Sequence, residues 1–248
     1  MAGHSKWHNI RIRKGKQDAL RSKLFTKLAR EITVAAKQGG GNPDANPRLR
    51  LAIEKARKNH MPADNIKRAI QKGTGELEGV SYEEITYEGY GPGGVAIMVE
   101  CMTDNRNRTV AELRHLFSKH GGNLGEAGSV AWQFKRQGVI TIPAEAIAEE
   151  ELLEIALEAG AEDVNQEEEF YRVLTTVEEF HRVREALQAR GLPIAEAQLE
   201  LTPTTTVRVE GEIAQKLMRL LEALEDHDDV QNTYANFDIP DEAFASVS

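Results

Sequence analysis

Basic side chains crowd one end of this 248-residue chain, and lysine and arginine are suited to binding anions. Residues 1–75 contain 18 Lys and Arg against 5 Asp and Glu, a formal charge of +13, whereas the whole chain carries −9. Such side chains neutralise phosphates and release the counterions condensed on a nucleic acid, which favours binding without any reading of base sequence. The asymmetry therefore predicts an anionic polymer as partner, and the acidic remainder should confine its contact to the basic end.

The predicted contacts lie in a loose basic arm, residues 1–18, and on the helix that follows it. Trp7 stands among cations, where its indole could stack on an unpaired base or instead cap the helical core. Paired Asn and Gln side chains suited to reading adenine are sparse here, so contacts to backbone and shape should dominate. The candidate nucleic-acid-binding residues of these two segments are Lys6, Trp7, Arg11, Arg13, Lys14, Lys16, Lys23 and Lys27.

A second candidate site lies in residues 103–109, where a predicted strand turns into a helix. Arg106 and Arg108 would flank the free N–H groups of the helix start and could hold a phosphate there. The structural alternative is that Asn105 or Asn107 caps the helix and the two arginines are surface residues. The sequence leaves both interpretations open.

The sequence contains no motif for catalysis or for a cofactor. His4 and His8 are four residues apart, but no further ligand pattern supports a metal. Residues 91–94 lack the Lys-Ser/Thr of a P-loop and should form a hairpin turn, while residues 121–129 should be a flexible crossing. Cys101, the single cysteine, is expected to be buried in a strand. We therefore expect no enzyme, no cofactor, no metal and no small-molecule substrate.

Hydrophobic periodicity predicts a small three-helix domain at the amino-terminal end. The first helix should run from Ala19 to Lys37, with one apolar stripe and cations on the opposite side. Asn46 is the predicted N-cap of the second helix, before a proline at its first position. A short third helix should begin at Pro62 and end at Gly73, ahead of a glycine-rich hinge.

The rest of the chain changes to a mixed pattern of strands and helices. Residues 82–102 predict a hairpin, and residues 131–202 show the strand, helix, strand, strand, helix, strand order of the ferredoxin-like fold. We therefore predict an α+β fold, with an N-terminal three-helix domain followed by two α/β domains, one ferredoxin-like and inserted into the other. The predicted domains are 1–79 with arm and hinge, 80–130 together with 203–240, and the insert 131–202.

The predicted hinge, residues 73–79, contains three glycines and should have wide backbone freedom. Opposite charges should then draw the basic helices onto the acidic domains when no ligand is bound. Nucleic acid would have to compete with the carboxylates of the protein itself, which would lower non-specific affinity. The alternative is a fixed apolar interface that holds the domains together whatever the salt concentration.

Four motifs carry a resemblance to a known family. They are MAGHSKWHNIRIRK at residues 1–14, YEGYGPGGVAIMVE at 87–100, TDNRNRT at 103–109 and GGNLGEAGSVAWQF at 121–134. With these motifs the whole chain resembles the YebC/PmpR family, whose mitochondrial members include a translational activator of cytochrome oxidase. The resemblance implies three domains, the first helical and basic, and it implies neither a cofactor nor catalytic residues.

The resemblance implies a regulator of gene expression of one of two kinds. Bacterial members are cytoplasmic DNA-binding transcriptional regulators, and other members act in translation on or near the ribosome. Mitochondrial members carry a transit segment, whereas the motif begins here at Met1, so a bacterial-type cytoplasmic protein is expected. We therefore expect a DNA-binding transcriptional regulator, with a ribosome- or rRNA-associated translation factor as the alternative. A protein-docking role for the insert is a third possibility, no membrane partner is expected, and the oligomeric state stays open.

Overall fold

Three helices form the amino-terminal domain, as the hydrophobic pattern predicts. The structure is a computed structural model and describes residues 17–167 and 169–240. The helices are α1 (Gln17–Gly39), α2 (Pro47–Lys58) and α3 (Ala63–Thr74). All three contribute apolar side chains to one buried core, which includes Leu28, Ile32, Leu49, Ile53 and Ile66.

The buried side chain of Asn46 joins the end of α1 to the start of α2. Its oxygen accepts a hydrogen bond of 3.1 Å from the backbone N–H of Leu49, which caps α2 as the sequence predicts. Its amide nitrogen donates to the carbonyl oxygens of Ala35 and Gly40, at 2.8 and 2.9 Å. One polar residue therefore satisfies free backbone groups at two helix ends.

Gly73 lies inside α3, which corrects the predicted end of that helix. The helix continues to Thr74, and Gly75, with φ of 83°, takes the left-handed conformation just beyond it. A Cβ at Gly73 would lie 2.4 Å from the carbonyl oxygen of Thr33 and 2.8 Å from the Cβ of Ala36, both in α1. Gly73 therefore allows two helices to approach closely and does not serve as a hinge residue.

Replacing Gly73 by alanine should destabilise the helical domain, although alanine is the better helix former. The added methyl group must displace the backbone of α1, and overpacking of this kind costs about 1–3 kcal/mol. Gly79→Ala is the matched control, because its Cβ would meet only the flexible side chain of Lys72, at 3.1 Å or more. Urea denaturation measures both, and equal stabilities would contradict the close approach.

Beyond residue 80 the chain forms two domains that each combine strands with helices. In chain order the elements are β1 (Glu83–Tyr90), β2 (Ala96–Thr103), α4 (Arg106–Lys119), β3 (Asn123–Leu124), β4 (Phe134–Pro143), α5 (Glu149–Ala159), β5 (Asp163–Glu167), β6 (Phe170–Thr175), α6 (Phe180–Ala189), β7 (Glu196–Pro203), β8 (Val207–Arg208), α7 (Gly211–Asp226), β9 (Val230–Ala235) and β10 (Phe237–Asp238). Of the helices between residues 17 and 240, none is long and apolar enough to cross a membrane.

The second domain is built on an antiparallel sheet with the strand order β3-β1-β2-β9. Strands β1 and β2 form the predicted hairpin, and its turn contains Gly93 and Gly94, each with φ of 76°. Strand β9 arrives from the far end of the chain and pairs with β2. Helices α4 and α7 pack against the sheet through a core that includes Ile97, Val99, Leu113, Phe117, Leu217 and Leu221. The short strands β8 and β10 pair in parallel as a separate sheet.

Residues 133–205 form a compact unit of their own, inserted between residues 132 and 206. Their sheet has the antiparallel order β5-β6-β4-β7, which is the arrangement of the ferredoxin-like fold. Gly138 in β4 lets Phe180 of α6 pack directly on the sheet, since a Cβ there would lie 2.5 Å from that ring. The predicted α+β fold with an inserted ferredoxin-like domain is confirmed.

Candidate nucleic-acid interface

The structure describes four of the ten predicted nucleic-acid-binding residues, namely Lys23, Lys27, Arg106 and Arg108. The other six lie in the arm, outside the described residues: Lys6, Trp7, Arg11, Arg13, Lys14 and Lys16. The four described residues lie near the contact between the helical domain and the second domain, and each has a partner within the protein. Their placement shows how the two domains meet.

Lys23 and Lys27 lie against the carboxyl-terminal end of α7. The Nζ of Lys23 donates a hydrogen bond of 3.2 Å to the carbonyl oxygen of Asp226, and the Nζ of Lys27 donates to that of Glu225. The last carbonyl groups of a helix have no partner within it and carry the negative end of its dipole. Two of the predicted phosphate contacts therefore hold the helical domain on the second domain.

Arg30 extends this contact and is not among the site residues that the sequence predicts. Its Nη1 lies 2.8 Å from both the carbonyl oxygen of Met102 and the Oδ1 of Asp229, and its guanidinium lies 4.9 Å from the ring centroid of Tyr82. Arg30 follows Lys23 and Lys27 at helical spacing, so that spacing was a signal for it. These three residues are called the docking face of α1 below.

Asp229 is the acidic centre of the contact and is only 2% exposed. Its carboxylate accepts from Arg30 at 2.8 Å in the helical domain, and from Arg108 and Thr109 of α4, each at 2.8 Å. Burial opposes the charge, but these donors together lower the pKa of Asp229 to about 2. Arg108 also pairs with Asp104 at 2.9 Å. One carboxylate therefore joins two domains.

The start of α4 is capped from within the protein. The side chain of Asn105 accepts a hydrogen bond of 3.0 Å from the backbone N–H of Arg108, so the capping alternative is confirmed for Asn105. Arg106 is 64% exposed at its side chain and lies 3.6 Å from the carboxylate of Glu83. Arg106 is therefore open to solvent, whereas Arg108 forms an ion pair with Asp229.

A second group of polar contacts joins the helical domain to residues 81–84. Arg48 lies 3.0 Å from the carboxylate of Glu31 and 2.6 Å from that of Glu84. The Nζ of Lys37 donates a hydrogen bond of 2.6 Å to the hydroxyl of Ser81. The pair of Arg48 and Glu84 places opposite charges of the two domains side by side.

Four cations of the helical domain take no part in these contacts. Arg57 of α2 and Lys67, Arg68 and Lys72 of α3 are all exposed. No hydrogen bond or ion pair links their side chains to any other residue that the structure describes. Arg68 and Lys72 are one helical turn apart, so they share a face of α3. These four residues, the exposed cation set, are available to a phosphate backbone.

A cluster of possible metal ligands beside the contact does not fit a metal ion. Glu112, His227 and Asp229 lie together, with 2.7 Å between the Oε2 of Glu112 and the Nε2 of His227. The Nδ1 of His227 accepts the backbone N–H of Asp229 at 3.1 Å, so Nε2 carries the proton and donates it to Glu112. Both carboxylate oxygens of Asp229 are engaged by donors. The cluster is therefore a hydrogen-bond network.

Residues 121–129 are not the flexible crossing that the sequence predicts: they contain β3, which pairs with β1, and the carboxylate of Glu88 holds their end in place. This carboxylate accepts the backbone N–H groups of Gly128, Val130 and Ala131, at 2.8 to 2.9 Å. Burial would raise the pKa of Glu88, but the three donors lower it on balance. No local sequence pattern could show this, because Glu88 lies some 40 positions before the segment that it holds.

Fold and charge together define a class, an α+β protein in which a basic three-helix domain precedes a larger acidic part built of strands and helices. The comparisons place the chain within that class: it belongs to the TACO1/YebC family. Residues 5–76 match the family's N-terminal domain, and residues 82–237 match the description "TACO1/YebC second and third domain".

Similar proteins cover the full length of the chain. A protein of Persephonella marina is 59% identical over 250 residues and covers all of both chains. A protein of Geobacter sulfurreducens is 59% identical over 242 residues, which is 98% of each chain. Both are named probable transcriptional regulatory proteins. The crystal structure of a conserved hypothetical protein of Aquifex aeolicus is 56% identical, with a TM-score of 0.84 over 90% of this chain and 93% of that one.

Proposed function

We propose that this protein is a non-enzymatic regulator of gene expression that acts in the cytoplasm as a DNA-binding transcriptional regulator. The observation that carries the proposal is the charge of +13 in residues 1–75 of a chain whose total charge is −9. The names of the full-length relatives support the transcriptional assignment. A ribosome- or rRNA-associated translation factor is the alternative, because the same cations suit any phosphate backbone.

The basic residues of the helical domain fall into two groups that differ in their surroundings. The docking face of α1 is turned towards the second domain, whereas the exposed cation set faces solvent. Phosphate contacts fix the position and orientation of a nucleic acid but carry no sequence information. We therefore assign first contact to the exposed cation set together with the arm, and we expect this contact to tolerate many sequences.

Salt should weaken the complex steeply if phosphate contacts dominate. The logarithm of the binding constant for duplex DNA should fall by about 0.9 per phosphate contact for each tenfold rise in salt. Replacing Lys14 and Lys16 by glutamate should weaken every sequence about equally, because neither residue is expected to read bases. Fluorescence anisotropy with several unrelated duplexes measures both effects. An affinity that ignores salt would refute the proposal.

The choice between transcription and translation needs a test of its own. A transcriptional regulator should prefer one duplex over random DNA by about a thousandfold or more. A translation factor should sediment with ribosomes and bind rRNA instead. Crosslinking in cells, followed by sequencing of the bound DNA and RNA, separates the two. Crosslinks confined to rRNA would replace the transcriptional assignment by the alternative.

A further inference from the structure

We infer that the docking face of α1, formed by Lys23, Lys27 and Arg30, is a second phosphate-binding surface, which the second domain covers until a nucleic acid displaces it. The inference rests on the proposed function and adds to it a named surface and a step of release. The ligand is the sugar–phosphate backbone of DNA or RNA, whose anionic oxygens accept the same hydrogen bonds as the groups that now hold these cations.

The two lysines contact backbone carbonyl groups in the docked arrangement. Lys23 and Lys27 donate to carbonyl oxygens at the end of α7, and Arg30 donates to the carboxylate of Asp229. A phosphate oxygen carries a negative charge, so an ammonium group is attracted to it more strongly than to the dipole of a carbonyl group. Both lysines should therefore bind phosphates more strongly than these carbonyl groups, so a nucleic acid can compete with the second domain for them.

The docked arrangement also leaves one strong donor unsatisfied. The Nε of Arg30 is buried and has no hydrogen-bond partner among the residues that the structure describes. Buried donors are rarely left without an acceptor, so such an atom needs an explanation. A guanidinium presents Nε and an Nη as a fork that a phosphate can accept with two oxygens. The unused Nε therefore points to a ligand that replaces Asp229.

The spacing of the three cations suits a nucleic-acid strand. Offsets of four and three residues place them on one side of α1, over about 10 Å along the helix axis. Successive phosphates of one strand in duplex DNA advance by about 3.4 Å along the duplex axis. The docking face can therefore follow one strand across several phosphates once it is uncovered.

The test is the substitution Arg30→Gln in the full-length protein, with a short mixed-sequence DNA duplex as the probe. This variant loses a cation, yet we expect it to bind the duplex about tenfold more tightly, because it releases the docking face from the second domain. A surface that is uncovered about one-tenth of the time shows about one-tenth of its intrinsic affinity. Its salt dependence should also be steeper, by about 0.9 for each additional phosphate that Lys23 and Lys27 neutralise. Arg68→Gln is the matched control, since it removes the same charge from the exposed cation set and should weaken binding.

Weaker binding by both variants would overturn the release step and leave the proposed function intact. Failure of the wild-type protein to bind any nucleic acid would overturn both. Hydrogen exchange on the wild type provides a readout that does not depend on folding of the variant. Added duplex should speed exchange of the backbone amides at residues 226–230, where α7 ends beside Asp229. Unchanged or slower exchange there would show that the domains stay docked and would refute the inference.

Discussion

Reversing three exposed cations, with Lys67→Glu, Arg68→Glu and Lys72→Glu combined, should lower the affinity of the full chain for DNA by about a hundredfold or more at low salt. Each substitution removes an attraction to a phosphate and places a like charge beside it, which is strongly unfavourable. The slope of the logarithm of affinity against that of salt should also fall, by about 0.9 for each phosphate that the variant no longer neutralises. Fluorescence anisotropy across a salt series measures both quantities.

The matched control makes the same change in net charge on the inserted domain. Lys135, Arg182 and Arg190 are exposed there, and each lies beside a glutamate in a surface ion pair. Each new glutamate faces another glutamate there, but at solvent-exposed positions both the lost attraction and the new repulsion are worth less than about 1 kcal/mol, so the fold should stay intact. Equal losses of affinity in the two triple variants would show that net charge matters and that α3 is not a site.

Replacing Asp229 by alanine should lower the free energy of unfolding by about 3 kcal/mol, because Arg30 and Arg108 then lose their shared acceptor. Asp104→Ala is the control, since it removes only a half-exposed partner of Arg108 and should cost less than about 1 kcal/mol. Urea denaturation at neutral pH gives both values. A small effect at both positions would show that the network does little to hold the domains.

The low pKa of Asp229 also predicts how stability depends on pH. Its folded-state pKa of about 2 lies below the usual value for an aspartate, so its ionised form stabilises the folded state. This contribution is complete above about pH 5, where aspartate is ionised in the unfolded state as well. It is lost as the pH falls through the unfolded-state pKa towards 2. Denaturation at several acid pH values should show the loss. Asp229→Asn should remove this part of the pH dependence, and an unchanged profile would contradict the assignment.

Local signals in the sequence were enough to predict the fold and the basic domain. Asn46 before a proline showed the start of α2, because capping depends on neighbouring residues. The alternation of strands and helices across residues 131–202 showed the inserted fold, because both periods repeat within a few residues. The charge of residues 1–75 predicts an anionic partner, because charge is a sum that needs no coordinates.

Interactions between distant residues could not be predicted in the same way. The sequence marks Lys23 and Lys27 as basic, but it does not show that the end of α7, some 200 positions away, accepts from them. Gly73 resembled a helix stop, and only the packing of α3 on α1 shows why a side chain is excluded there. The exposed cation set likewise depends on the structure, because the sequence does not show which cations have partners within the protein.

The pairing of β2 with β9 across the insert constrains the order in which the chain folds. The helical domain builds its core from residues within 17–75, so it can fold early during synthesis. The sheet of the second domain must wait for β9, because closing a long flexible loop costs entropy before the pairing stabilises it. Within the insert, Phe134 pairs with Pro203 and the backbone N–H of Thr204 donates to the carbonyl oxygen of Gln133 at 2.8 Å. Folding of the insert therefore brings its own two ends together and replaces that long loop by a short one.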